Sequence, residues 1–194
     1  MSSLPPAEAV LCQLIRISKD RQWPTKWSPR FVGNELSEQQ RSRIIDIASA
    51  NLRSRAPFAQ SIGSRLELLE VRVFQRDEDN KIHIRFIFEV DMTPDMLNIF
   101  GSLHGSCITF LIDACSSVAL TALSAVAHKL SLLVSHTLGT TFHSPAPAGA
   151  RLRITAETTA FGSRTVSAEV QIWDVTNKRL VATGVHNQMQ LSKL

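Results

Sequence analysis

The sequence has no dense block of like charges, and it has few charges overall. Lys, Arg, Asp and Glu make up 20% of its 194 residues, and the net charge is only +4. Basic side chains are spread through the first 60 residues, where solvated helix faces are the simpler interpretation and an anionic partner the alternative. This spread is not typical of a nucleic-acid-binding surface. Because 44% of the residues are hydrophobic, we expect one folded domain rather than a disordered chain.

Cysteine is scarce, and the three residues present, Cys12, Cys107 and Cys115, have no repeated spacing. An odd count predicts buried free thiols in a reducing compartment rather than disulfides. His104 lies close in sequence to two of them, but no fourth ligand follows at the spacing of a zinc finger. We therefore expect neither a metal ion nor a cofactor.

Several catalytic signatures are also missing. The chain has no Gly-x-Ser-x-Gly elbow of a serine hydrolase, no Walker loop and no Gly-x-Gly-x-x-Gly turn. Its first residues lack the basic and apolar regions of a secretory signal. The last three residues, Ser192, Lys193 and Leu194, form the tripeptide that the peroxisomal import receptor reads. This ending predicts a peroxisomal location, with a cytoplasmic one as the alternative.

Residues 1–60 are predicted to be a helical extension of the main domain, which we assign to residues 61–194. Apolar residues within 7–17 recur on one face of a short helix. Ser37 and Gln40 have the spacing of a capping box, which predicts the start of a second helix. We expect these helices to pack on the main domain, and a role at a membrane surface is the alternative.

The hydrophobic pattern changes to a period of two after Arg65. Six segments alternate or are rich in β-branched residues, and they predict strands at 65–74, 81–90, 132–142, 151–158, 165–174 and 180–191. We expect the first two strands to form a hairpin and the last four to follow one another as hairpins. Between the two groups lies a long apolar run, 103–127, whose length would also suit a membrane span.

The apolar run is better explained as a buried central helix. Small residues are dense within it, strands flank it on both sides, and a carboxylate, Asp113, lies near its middle. Two strands, a long helix and four strands predict an α+β fold in which one antiparallel sheet curls round one helix. An unpaired charge is costly to bury, so Asp113 needs a chemical or structural reason to be there.

The motifs around this helix resemble those of hotdog-fold acyl-coenzyme A thioesterases, the family that includes phenylacetate-pathway and mammalian thioesterase-superfamily hydrolases. The resemblance covers roughly residues 65–190. It rests on Asn98, Leu103-His104-Gly105, Asp113, Ser135, Phe142-His143-Ser144-Pro145-Ala146 and Gly184-Val185-His186, in this order. One position departs from the family pattern, because Ser106 stands where a second glycine is usual and its side chain narrows the space there.

The resemblance implies roles for five residues in the hydrolysis of a thioester. The backbone amide of Gly105 would point at the thioester oxygen, Asn98 would hold the adjacent carbonyl or a water molecule, and His104 would orient the site. A glycine at the first turn of a helix suits the first role, since free N–H groups and a partial positive charge meet there. Asp113 would be the general base or nucleophile, and Ser135 would position the water or hydrogen-bond Asp113.

The resemblance also implies contacts with the phosphates of coenzyme A. Ser163 and Arg164, in a predicted turn, and the ring of His186 are the expected residues. Structural roles are the alternatives: a helix-capping or core histidine for His104, a buried acid paired to a structural donor for Asp113, and a solvated turn residue for Arg164.

Helix geometry bears on how many subunits one site needs. The nine residues from His104 to Asp113 give two and a half turns and about 13 Å of rise. We therefore expect Gly105 and Asp113 of one chain to lie far apart, on opposite sides of their helix, and not to share one thioester. If both are catalytic, the site lies between two subunits of a homodimer or a dimer of dimers. A non-catalytic acyl-coenzyme A-binding protein and a hotdog dehydratase are the alternative functions.

Overall fold

The computed structural model describes residues 6–19, 27–53, 58–127 and 131–191. The predicted import tripeptide, 192–194, lies outside the described residues. The helices are α1 (Ala7–Lys19), α2 (Glu38–Leu52), α3 (Gln60–Gly63) and α4 (Gly105–Val126). The strands are β1 (Arg30–Gly33), β2 (Glu67–Gln75), β3 (Ile82–Asp91), β4 (Leu133–Phe142), β5 (Arg151–Phe161), β6 (Thr165–Asp174) and β7 (Arg179–Gln190). A one-turn 3₁₀ helix, Pro94–Met96, precedes α4.

One seven-stranded sheet wraps round α4, which confirms the α+β plan. The strand order is β1-β2-β3-β5-β6-β7-β4, and every described pair is antiparallel except β1 with β2. Helix α4 packs against β3, β5, β6, β7 and β4 and carries α2 on another face. The helix thus contacts protein on most sides, as its nearly uniform apolar composition requires.

The prediction that the last four strands pair in succession as hairpins is wrong for the first of them, β4. Strand β4 pairs with β7 at the sheet edge and not with β5. After β4 the chain crosses below the start of α4, where Ala146 is buried and its carbonyl accepts the Leu103 N–H at 2.9 Å. The remaining strands do pair in succession, β5 with β6 and β6 with β7. The crossing joins the start of α4 to the end of the edge strand.

The first sixty residues contain the two predicted helices and one strand that was not predicted. Ser37 and Gln40 form the expected capping box at the start of α2. Strand β1 adds a parallel neighbour to β2, with Arg30 opposite Glu70. Buried residues of this segment, Trp27 and Ile44 among them, belong to the same core as α4 and the sheet. The extension is therefore part of the main hydrophobic core.

Helix α4 is the only described helix long and apolar enough to span a membrane, and 61% of its most apolar window is buried in the fold. It serves as the core helix. Its thiols Cys107 and Cys115 are free and buried, as expected, whereas Cys12 is exposed, contrary to expectation. Burial raises the pKa of Cys107 to about 11, so its thiol is not an activated nucleophile.

Candidate functional site

The first turn of α4 forms one half of the candidate site. His104 is the N-cap residue, with extended backbone angles of φ −68° and ψ 135°, and its Nδ1 accepts the Ser106 N–H at 3.1 Å. The capping role that was the alternative for His104 is therefore present in the single chain. The N–H of Gly105 has no acceptor within the helix, because it belongs to the first turn. This amide is free to donate to a substrate oxygen.

The Phe142 side chain lies beside this amide. A Cβ added to Gly105 would lie 3.6 Å from the nearest ring carbon of Phe142, which is ordinary van der Waals contact. Phe142 ends β4 and is largely exposed. The ring therefore forms an apolar wall next to the free N–H, and no sequence motif had assigned it a role.

Asn98 precedes the helix in a tight turn that uses part of its side chain. The Asn98 Oδ1 accepts the N–H of Phe100 at 2.9 Å and the N–H of Ser102 at 3.1 Å. Because the oxygen is engaged in the turn, the side-chain NH₂ is the group that remains to donate to a carbonyl. This geometry fits the predicted contact with a carbonyl better than one in which Asn98 accepts a hydrogen bond.

The second half of the candidate site gathers three predicted residues from α4, β4 and β7. The Nε2 atom of His186 lies 3.0 Å from Ser135 Oγ and 3.6 Å from Asp113 Oδ1. A β-bulge between Ser135 and Thr137 changes the register of β4 against β7 at this point. Bulges re-aim side chains, and at this one the exposed Ser135 contacts the buried ring of His186. Ser135 is thus within hydrogen-bond distance of this imidazole nitrogen, and the Asp113 carboxylate lies beside it without a hydrogen bond.

Ser116 determines which nitrogen of the His186 ring carries the hydrogen. No role had been predicted for Ser116 from the sequence. Its Oγ lies 2.6 Å from the Ile112 carbonyl oxygen and 2.6 Å from His186 Nδ1. A carbonyl only accepts, so the hydroxyl donates to Ile112 and accepts from the Nδ1–H of His186. The Nε2 atom is then the unprotonated nitrogen, and Ser135 donates its hydroxyl hydrogen to it. The spacing from Asp113 to Ser116, about one helical turn, was the available signal.

Asp113 is not the buried charge that the sequence suggested, since 47% of its side chain is exposed. Because α4 is partly exposed to solvent at Asp113, the helix can carry a carboxylate there. The expected geometry needs one correction. Eight residues separate Gly105 from Asp113, which places them about 80° apart round the helix rather than on opposite sides. The rise of about 12 Å between them still prevents contact with the same thioester.

The predicted coenzyme contacts do not come together. His186 is 0% exposed, so its ring cannot contact the coenzyme, and its prediction as a phosphate ligand does not fit the structure. Ser163 and Arg164 lie in the exposed turn between β5 and β6, where the Arg164 carbonyl accepts the Gln190 N–H at 3.0 Å. They remain available to an anionic ligand as a separate surface.

Acid is expected to destabilise the fold through His186. Burial lowers the pKa of this imidazole below its ordinary value of 6.5, while the nearby Asp113 carboxylate opposes part of the change. As the pH is lowered through 6.5, the unfolded chain binds a proton at His186 that the folded chain resists. The free energy of unfolding therefore decreases as the pH decreases. Urea unfolding between about pH 8 and pH 5 should show a steeper loss for the natural protein than for His186→Asn.

The matched control for this measurement is His136→Asn, on the exposed part of β4. It should keep the steep loss, because the buried ring of His186 is unchanged in this variant. Equal slopes for the natural protein and His186→Asn would contradict a buried neutral ring.

A family model described as "Thioesterase superfamily" matches residues 100–181. No curated protein sequence matches the chain significantly.

Solved structures resemble the fold over a longer stretch. Zebra fish thioesterase superfamily member 2 is 21% identical, with a TM-score of 0.62, covering 77% of this chain and 97% of its own. The Escherichia coli PaaI protein from the phenylacetic acid degradation operon is 18% identical, with a TM-score of 0.55, covering 72% of this chain and 87% of its own. A hypothetical thioesterase from Streptococcus pneumoniae, solved with coenzyme A, is 17% identical, with a TM-score of 0.50, covering 56% and 80%.

The family model includes α4 and β4, which contribute to both halves of the candidate site, but not Asn98 or His186. The family model begins five residues before α4 and ends within β7. The structural matches add the sheet wrapped round a long helix. The chain is thus confirmed to resemble the thioesterase superfamily, and its fold is the hotdog fold.

Proposed function

We propose that the protein hydrolyses acyl-coenzyme A thioesters, at sites formed between two copies of the chain. The observation that carries this proposal is the position of Asp113 and Ser135 beside the Nε2 atom of His186. Asp113 and Ser135 lie within residues 100–181, the segment that matches the thioesterase superfamily. Hydrolysis needs a base for water and a donor for the carbonyl oxygen. Among the described residues, Asp113 is the candidate base and the Gly105 N–H is the candidate donor, and they lie in separate halves of the site.

Asp113 is the proposed general base. Its half-exposed carboxylate takes a proton from a water molecule as the water oxygen attacks the thioester carbonyl carbon. The tetrahedral intermediate then collapses, the C–S bond breaks, and the thiolate of coenzyme A leaves and is protonated. Ser135, held by His186, lies near enough to Asp113 to orient that water.

Gly105 is the proposed donor to the carbonyl oxygen. Its free N–H lies at the positive end of α4, where developing negative charge is stabilised. Since about 12 Å of helix separates it from Asp113, one chain cannot offer both groups to one thioester. A second copy must supply the missing half.

The edge strand β4 is the surface we assign to that second copy. It is ten residues long, ends the sheet order, and leaves one side of its backbone without a strand partner among the described residues. An unpaired strand of this length invites pairing with another chain. Ser135 and Phe142, one from each half of the site, both lie on this strand. Pairing there would bring a partner next to both halves.

Replacing Gly105 by proline is expected to lower kcat at least about a hundredfold, because it removes the N–H that donates to the oxyanion and puts the ring Cδ in its place. Proline is favoured at the first position of a helix, and the extended backbone of His104 already suits a following proline. Circular dichroism should therefore be unchanged. Unaltered kcat in a folded Gly105→Pro protein would remove this amide from the proposed chemistry.

The proposed activity is tested with a panel of acyl-coenzyme A esters that differ in chain length and head group. Release of free coenzyme A is followed with a thiol reagent, and Cys12→Ser is the protein to use, because the exposed Cys12 would react with the reagent. Catalytic thiol release supports the proposal. Tight binding of every ester without release would select the alternative, an acyl-coenzyme A-binding protein.

We also propose a peroxisomal location, which the terminal Ser192-Lys193-Leu194 alone supports. A fluorescent protein fused to the amino terminus should mark peroxisomes, and removal of these three residues should leave it in the cytosol. An unchanged location after the removal would refute the signal.

A further inference from the structure

Two hydrogen-bond donors of Ser106 lie close to one ring nitrogen of His104 at the start of α4. The Ser106 Oγ lies 2.6 Å from His104 Nδ1, and the Ser106 backbone N–H lies 3.1 Å from the same atom. Both side chains are exposed, so no packing against the core accounts for this contact. Ser106 is also the position where the chain departs from the glycine that is usual in the family it resembles.

The backbone contact decides which ring nitrogen carries the hydrogen. An amide N–H can only donate, so His104 Nδ1 must offer a lone pair and cannot be protonated while this bond exists. The hydroxyl of Ser106 can donate to the same lone pair and reinforce the arrangement. The neutral ring then carries its hydrogen on Nε2. A glycine at position 106 would keep the amide donor but would lack the hydroxyl.

We propose that Ser106 is a positioning residue that holds His104 as the Nε2–H tautomer, so that the ring donates a hydrogen bond to the thioester carbonyl and is not a base. Gly105 follows His104 directly, so its amide and the ring belong to the same turn. The two donors would share one oxyanion. The identity of the acceptor rests on the proposed thioesterase function, whereas the tautomer does not.

Nuclear magnetic resonance measures the tautomer without any substrate. Long-range ¹H–¹⁵N spectra at about pH 8 distinguish protonated from unprotonated ring nitrogens, and the signals of His104 among the six histidines are assigned with His104→Gln. The natural protein should show an unprotonated Nδ1. Ser106→Ala keeps the amide but loses the stronger anchor, the hydroxyl at 2.6 Å, so the exposed ring should leave the amide part of the time and the signal should shift toward a mixture of tautomers. Ser106→Thr, which keeps the hydroxyl, should restore it. A protonated Nδ1 in the natural protein, or an unchanged spectrum in Ser106→Ala, would overturn the proposal.

Kinetics tests the consequence for catalysis. Ser106→Ala should lower kcat about fivefold with KM unchanged, the size expected for one lost neutral hydrogen bond. In a His104→Ala background the same substitution should have no further effect, because the two residues act as one unit. Additive losses would show that Ser106 acts independently of His104. If no ester is hydrolysed at all, the thioesterase proposal fails while the spectra still decide the tautomer.

Discussion

Asp113→Asn is expected to lower kcat for acyl-coenzyme A hydrolysis about a thousandfold, because an amide cannot take the proton of the attacking water. The substitution keeps the size of the side chain, and Asp113 is half-exposed, so the fold should be retained. Initial rates of coenzyme A release give kcat and KM for both proteins, and thermal unfolding verifies that the variant is folded.

Asp77→Asn is the matched control, since Asp77 is an exposed carboxylate in the turn between β2 and β3. It should leave kcat unchanged. If Asp113→Asn and the natural protein hydrolyse the esters at equal rates, Asp113 is not the base, and its contact with His186 is structural only.

Mixing two inactive variants tests whether the site lies between subunits. When Asp113→Asn and Gly105→Pro are unfolded together and refolded, about half of the dimers contain one chain of each kind. Such a dimer has one site with both defects and one with neither, so the mixture should recover about a quarter of the natural activity. No recovery, with mixed dimers detected by native mass spectrometry, would contradict a shared site.

Gly184→Ala is expected to destabilise the fold by about 1–3 kcal/mol, since the added methyl group has no room. A Cβ at Gly184 would lie 2.5 Å from Ile112 Cγ2 and 3.1 Å from the Gly139 carbonyl oxygen. Ile112 is fully buried in α4, so it cannot move aside without disturbing the helix. For a chain of this size the unfolding midpoint should fall by roughly 5 °C in thermal scans.

Gly139→Ala is the control for this substitution. Its Cβ would meet nothing closer than the Val185 carbonyl oxygen at 4.0 Å, so we expect little change in the midpoint. The Gly184 variant should also lose activity in the folded state, because Ile112 is next to Asp113 and a displaced helix would separate Asp113 from His186. Equal midpoints for the two variants would show that β7 and α4 are not tightly packed here.

Most elements of the fold follow from local patterns in the sequence. Alternating residues located the six main strands, and the uniformly apolar run located α4. The four residues of β1 were missed because their strand conformation depends on β2, which follows about 40 residues later. The pairing of β4 with β7 was missed for the same reason, since no local pattern distinguishes a hairpin from a crossing chain.

The candidate site was predicted in its members more fully than in their arrangement. The family resemblance placed Asp113 and Ser135 in one functional group, yet assigned His186 to the coenzyme. Alternation along β7 carried the missing information, because Ala182, Gly184, His186 and Gln188 all face inward. A histidine on that face is buried, so its ring nitrogens need hydrogen-bond partners inside the fold. The contact of Ser106 with His104 depends on side-chain conformation, which spacing alone does not determine.

The unequal edges of the sheet bear on the size of the assembly proposed above. At one end the outermost strand is β1, only four residues long, which finishes at Gly33 with a left-handed φ of 94°. Short, interrupted edges resist further pairing. Strand β4 at the other end is the one long edge among the described strands. If two copies pair through it as proposed, the described residues offer no comparable strand to recruit a third. The edge pairing proposed above would therefore be self-limiting and close at two, whereas a sheet with two long edges could polymerise into fibres.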